Sequence, residues 1–293
     1  MGYALFLGCT IPARQPNYEL SARKALAKLG VELVDLEGFS CCAPPPLESV
    51  ALDSSLAISA YNISLAEEAE MDMVTLCSGC FQALAKTNAV LKEDEKLKEN
   101  VNKILSKIGR EFKGKIEVKH YLQILHDEVG IETIKSSVVH PLREIKAAAF
   151  YGCHLLRPSK FVKFDNPESP RVLDDLIEAL GAESIEYMDK LKCCGGLLRG
   201  YNDDLALDLG RDKVLNASKA GADCIVTVCP FCFVNLDIGQ LQMARKYNET
   251  YSLAVLHYSE LLSLALGIDP KEIALETHKV KVTPLLEKIG LKV

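Results

Sequence analysis

The chain has 293 residues, enough for one large domain or two of ordinary size. Its 48% hydrophobic and 25% charged content describe a soluble globular protein with a sizeable core, and a net charge of −6 gives no footprint for nucleic acid. No run of about 18 apolar residues argues for a membrane span, and the opening MGYALFLGCTIPAR lacks a basic n-region, so a cytoplasmic protein without a signal peptide is expected.

In chain order, an apolar strand (ALFLGC) leads to Cys9. A helix follows with Ala22, Ala25, Leu26 and Leu29 on one stripe and Gly30 as its stop. A second strand, VELVDLEGFSCC, reaches Cys41 and Cys42. A helix around 56–70 then feeds a third strand, MDMVTLCSGC, which runs into Cys77 and Cys80. The charged stretch from Lys92 to Lys115 reads as a solvated helix and turn. A fourth strand ends at His120-Tyr121, before the helix LQILHDEVG. A proline and charges interrupt the pattern between Val139 and Lys146, the expected boundary between residues 1–142 and 143–293. Beyond it the order repeats: AAAFYGC, a helix carrying Leu173, Leu176, Ile177 and Leu180 and stopped by Gly181, then AESIEYMDKLKCC. A helix around 204–220, the strand ADCIVTVCPFC, and a strand ending at His257-Tyr258 before SELLSLALG complete it. Strands alternating with helices predict parallel βαβ units. The expected fold is α/β, a tandem duplication of two similar domains with parallel sheets. Each cysteine then falls at or beyond a strand's C-terminal end, the edge where such sheets bind ligands.

Ten of the eleven cysteines carry the repeat: Cys9, Cys41, Cys42, Cys77 and Cys80, then Cys153, Cys193, Cys194, Cys229 and Cys232. In both sets 34 residues separate the pair from the C-x-x-C, so the last four cysteines recur at an offset of 152. Five thiolates per set exceed the four that tetrahedral zinc accepts. Adjacent cysteines also close poorly on one ion, whereas a cluster with several irons lets them bind different irons or bridge them. One iron–sulfur site per half is the leading reading. Ten core cysteines in duplicate register by coincidence, a disulfide framework and structural zinc are the alternatives. Cys224, inside ADCIVTV, reads as a packing residue.

The halves also differ. A loop, RPSKFVKFDNPESPR, follows Cys153 and His154, where the first half has Thr10 after Cys9. Gly195-Gly196 follow the second cysteine pair, whereas Ala43 and three prolines follow the first. The two sites are therefore expected to meet different surroundings.

The patterns C-x31-C-C-x34-C-x2-C and C-x39-C-C-x34-C-x2-C resemble proteins with two cysteine-rich CCG domains. Within that family, LGVELVDLEG, AGADC and VCPFC resemble the B subunits of heterodisulfide reductases from methanogenic archaea. The second pair keeps the CCG that names the motif, and the first reads CCAPP. The resemblance implies two noncubane four-iron, four-sulfur clusters, one per domain, held by the ten cysteines. It implies reduction of the coenzyme M–coenzyme B disulfide to two thiols by one-electron transfers. The implied partners are the ferredoxin-like C and flavin-containing A polypeptides of heterodisulfide reductase, within a hydrogenase- or formate-dehydrogenase-linked complex.

For such an anionic substrate Arg199, just past the second pair, is the expected binding residue. His154, beside a ligand, is the expected proton donor to a product thiolate. The chain contains neither the bacterial ferredoxin run nor G-x-G-x-x-G, so electrons are expected from another polypeptide, with no flavin or NAD here. Two other functions stay open. One is a CCG electron-transfer component of a lactate-, glycolate- or glycerol-3-phosphate-oxidising complex, and the other is a zinc-stabilised scaffold.

Overall fold

A computed structural model describes residues 2–43 and 45–291; Pro44, one of the three prolines after the first cysteine pair, lies outside them. The first half runs β1 (Gly2–Phe6), α1 (Pro16–Lys28), β2 (Glu32–Val34), α2 (Leu52–Glu68), β3 (Met73–Thr75), α3 (Ser78–Glu93), α4 (Glu95–Leu105) and β4 (Val118–His120). The second runs β5 (Lys146–Phe150), α5 (Val172–Ala179), β6 (Glu183–Ser184), α6 (Asp203–Lys219), β7 (Cys224–Thr227), α7 (Pro230–Leu236), α8 (Ile238–Tyr247), β8 (Ala254–His257) and α9 (Tyr258–Ala265). Two four-stranded sheets result, ordered β2-β1-β3-β4 and β6-β5-β7-β8, with every pairing parallel. Parallel strands need crossovers, and helices on both faces leave the inner strands dry, which is why ALF and AAAF are unbroken apolar runs. Ala4, Leu5 and Phe6 are buried, as are Ala147 to Phe150.

The duplicated α/β architecture is therefore observed, with three adjustments. The second strand of each half pairs for only three residues in β2 and two in β6. These are sheet edges, and the chain leaves them early to carry the cysteine pair toward the neighbouring strands' ends. The charged stretch from Lys92 contains α4, whose Val101 and Leu105 are buried while its other face is mostly exposed. LQILHDEVG is helical but widens to π pitch over Ile124–Gly130.

One apolar cluster runs through both halves. α1 packs on α9 across the middle of the molecule through buried polar contacts. Asn17 Nδ2 donates to Glu260 Oε1 (2.9 Å), and the Ser21 and Ser259 hydroxyls meet at 2.7 Å. The ring of Tyr18 stacks on His257 at 3.5 Å between centroids. The loop after His154 also crosses over, since its short helix Ser159–Val162 lies against α3 and Phe164 against His120.

Candidate metal centre

All ten repeated cysteines line one pocket, at the C-terminal edges of both sheets. The space among them, counting what opens to solvent, is about 780 Å³. Cys9 and Cys153 follow β1 and β5 in short loops, and the pairs Cys41-Cys42 and Cys193-Cys194 lie in the loops before α2 and α6. Cys77 caps α3 and Cys80 sits in its first turn; Cys229 and Cys232 repeat this on α7. Cys9, Cys41 and Cys193 are exposed, Cys153 is half-buried, and the rest are buried. Cys224 is buried in β7 away from the pocket, as a packing residue should be. All eleven thiols are free.

The loops are fixed by side chains on the helices behind them. Asn62 Nδ2 donates to the Cys41 carbonyl (3.0 Å) and Ser59 Oγ to that of Cys42 (2.8 Å). Asn235 Nδ2 donates to the Cys194 carbonyl (2.6 Å). Two bonds tie the halves together at the pocket itself: Ser78 Oγ donates to Val228 O (2.9 Å) and Gln15 Nε2 to Pro230 O (2.8 Å). Glycine precedes the first cysteine of each set, at left-handed φ of +69° for Gly8 and +72° for Gly152. A Cβ on Gly8 would stand 2.8 Å from Cys80 Sγ, and one on Gly152 3.6 Å from Cys232 Sγ. The recurring Gly-Cys dipeptide was a legible signal of this close approach.

Sulfur crowding dominates the electrostatics. The hydrogen bond from Cys41 brings Cys42 down to about 4 while Cys41 itself rises. The bond from Cys153 brings Cys193 down to about 2, with Cys153 raised in turn. Across the two halves, Cys77 is raised chiefly by its bond with Cys229, whose own thiol is lowered. The amides of Gly195 and Gly196 each reach a sulfur, those of Cys193 and Cys194, at 3.3 Å.

Thiols sharing protons this closely cannot all ionise unless cations sit among them. Walls of sulfur around a shared space fit multi-iron groups better than mononuclear zinc.

His154 is half-buried and lines the same pocket, together with cysteines of both halves. Arg199 lies outside it, in an adjoining groove with Cys9, Thr10, Arg14 and Phe231. Its guanidinium donates to Gln242, stands 3.5 Å from Asp203, and keeps Nη1 buried without a partner. Lys213 is a residue that sequence reasoning missed. It lies buried on α6 behind the second cysteine set, and nothing in LGRDKVLN marks it.

Two matched α/β halves presenting five thiols each to one pocket define a duplicated cysteine-rich protein. The cysteine-rich domain family, CCG, matches residues 3–85 and 147–237. The B subunit of the ferredoxin:CoB-CoM heterodisulfide reductase of Methanosarcina mazei is 42% identical, over 98% of this chain and 96% of that one. The 8-methylmenaquinol:fumarate reductase membrane anchor subunit of Wolinella succinogenes is 33% identical, over 97% of this chain and 98% of its own length. A crystal structure of a hypothetical protein from Helicobacter pylori shares the fold at a TM-score of 0.77 and 17% identity, covering 96% of this chain and 52% of that one. The chain belongs to the CCG cysteine-rich domain family, in the branch of the heterodisulfide reductase B subunits.

Proposed function

We propose that this chain is the iron–sulfur component of a heterodisulfide reductase, an oxidoreductase that reduces the mixed disulfide of coenzyme M and coenzyme B to two thiols. The observation that carries this reading is the single pocket lined by all ten cysteines. It occurs in a chain 42% identical to the B subunit of a heterodisulfide reductase over nearly its whole length. The protein holds iron–sulfur clusters and, as a B subunit, works within a multisubunit complex.

In finer terms, residues 1–142 and 143–293 each carry one noncubane four-iron cluster. Cys9, Cys41, Cys42, Cys77 and Cys80 hold the first; Cys153, Cys193, Cys194, Cys229 and Cys232 hold the second. Electrons come from the ferredoxin-like C and flavin-containing A polypeptides, in a hydrogenase- or formate-dehydrogenase-linked assembly in the cytoplasm. No helix among the described residues is long and apolar enough to cross a membrane.

The reaction is R–S–S–R′ + 2 e⁻ + 2 H⁺ → RSH + R′SH. When bound, the clusters supply the electrons one at a time. The chain's own residues do the rest. Leu7, Pro45, Leu197 and Phe231 form an apolar rim that limits water around the disulfide. His154, which lines the pocket with cysteines of each half, is assigned to hand a proton from its imidazole N–H to a departing thiolate. Arg199, with its unpartnered Nη1 beside the adjoining groove, is assigned to an anionic group of the substrate.

The reading is tested by iron and acid-labile sulfide analysis of anaerobically purified protein, followed by turnover with the heterodisulfide and an artificial reductant. Clusters with turnover sustain it. Clusters without turnover would move the protein to electron transfer in another complex, which the 42% relative does not favour. Four-thiolate zinc without sulfide would end it. An Arg199→Ala variant should raise KM for the heterodisulfide, and an unchanged KM removes that assignment.

A further inference from the structure

The two cysteine sets are nearly matched in sulfur but not in charge. Lys213, on α6, is 1% exposed. Its Nζ donates to the carbonyls of Asp189 and Lys190, in the loop that leads to Cys193 and Cys194. It also faces the rings of Phe150, 4.4 Å away, and Tyr187, 5.7 Å away. Phe150 ends β5, three residues before Cys153.

No carboxylate among the described residues forms an ion pair with Lys213. The neighbouring Asp189 carboxylate is engaged by Lys192 (2.9 Å) and by Asn216 (3.2 Å). Lys190, by contrast, is buried with its own partner, Asp174, at 2.7 Å. A buried cation without a counter-charge is unfavourable, so its retention calls for negative charge nearby. Burial pushes the ammonium down to about 8, opposed first by the sulfurs of Cys194 and Cys232, then by Asp189 and Cys153.

Neither first-half position matched to Lys213 carries a cation. The cysteine offset of 152 pairs Lys213 with Tyr61, and the helix starts at Leu52 and Asp203 pair it with Asn62. Tyr61 instead donates its hydroxyl to Gly38 O (3.1 Å), and Asn62 grips the Cys41 loop.

We propose that Lys213 is a fixed buried positive charge that raises the reduction potential of the second-half cluster above that of the first. It thereby makes the two sides of the disulfide pocket electronically unequal. The inference rests on the two-cluster reading above. Positive charge beside a cluster favours the reduced, more negative state. In a water-poor interior that effect is not screened away. The half that carries Lys213 is then the one reduced first, and the paired sulfur of the substrate leaves from an asymmetric site.

The test is an anaerobic redox titration of the wild-type holoprotein and of Lys213→Met and Lys213→Arg, followed by electron paramagnetic resonance. Signals are assigned to each half with Cys42→Ser and Cys194→Ser. Wild-type iron and sulfide content are measured first, so absence of clusters condemns the two-cluster reading rather than this one. Lys213→Met should lower the second-half midpoint by at least about tenfold in the one-electron equilibrium, roughly 59 mV, and leave the first half unmoved. Lys213→Arg, which keeps the charge, should restore most of the wild-type value. If the Met variant fails to load its second cluster, Lys213→Gln is titrated in its place, and a loaded Gln variant with a wild-type midpoint overturns the proposal. If Met and Arg behave alike, both with wild-type potentials or both without a cluster, Lys213 only holds the loop and the proposal is overturned.

Discussion

Gly8 and Gly152 occupy equivalent places but bear different loads. An L side chain at either φ costs roughly 1–2 kcal/mol, and at Gly8 it also collides with Cys80 Sγ at 2.8 Å. On the proposed reading of one cluster per half, Gly8→Ala should therefore lose most of the iron of the first half, whereas Gly152→Ala should keep both clusters and lose only stability. Iron content and the half-specific spectra decide this; equal metal loss from both variants would contradict it. His154 belongs to the same scale. Replacing it with Gln keeps a polar side chain of similar length but removes the imidazole that would carry the proton. A several-fold fall in turnover with a flattened pH profile is expected. Wild-type turnover with an unchanged profile would leave His154 a wall residue only.

At the scale of elements, the contact of α1 with α9 is the seam of the molecule. Glu260 on α9 and His278 pair at 2.7 Å, both buried, with Asn17 of α1 donating to the same carboxylate. Burial alone would raise the carboxyl and lower the imidazole. Their mutual attraction reverses both, bringing Glu260 below 4.5 and His278 above 6.5. The depressed carboxyl gives stability that is complete above pH 4.5 and lost as pH falls through the folded value. The raised imidazole gives stability that is complete below pH 6.5 and lost as pH rises through its folded value. The stability difference between wild type and His278→Gln should thus be largest between pH 4.5 and 6.5 and shrink on either side. Urea midpoints across that range measure it, and a difference independent of pH would mean the pair is not ionised.

At the scale of the whole molecule, duplication does not yield two independent bodies. The core is continuous across the halves, and the polar groups Gln15, Asn17, Ser21 and Ser78 of the first are satisfied by the second. Separating the halves would put the apolar surface of that shared core into water, at roughly 25 cal/mol per Å². Heating the holoprotein should abolish cluster absorbance and far-ultraviolet circular dichroism in one coincident transition. Two resolved transitions would show that the seam is weaker than its hydrogen bonding implies.

Much of this was legible in one dimension, because the period of a buried helix or strand and the identity of a thiol are local properties. The stripe Ala22, Ala25, Leu26 and Leu29, the unbroken AAAF strand, and the cysteines at strand ends all appear where their patterns put them. The second strands were overread, since VELVDLEG is apolar enough for a strand but an edge supplies pairing for only three residues. Spacing could count ten thiols and divide them into two sets, yet it could not state that Cys77 of one half lies against Cys229 of the other. Nor could it distinguish Lys213 from any other helical lysine, or put Arg199 in a side groove by Cys9 rather than in the pocket with the pair it follows. Fold class, duplication and donor chemistry were written in the sequence because neighbours along the chain create them. The shared pocket, its unequal charge and the seam were decided only by tertiary packing, which brings together groups more than 100 residues apart.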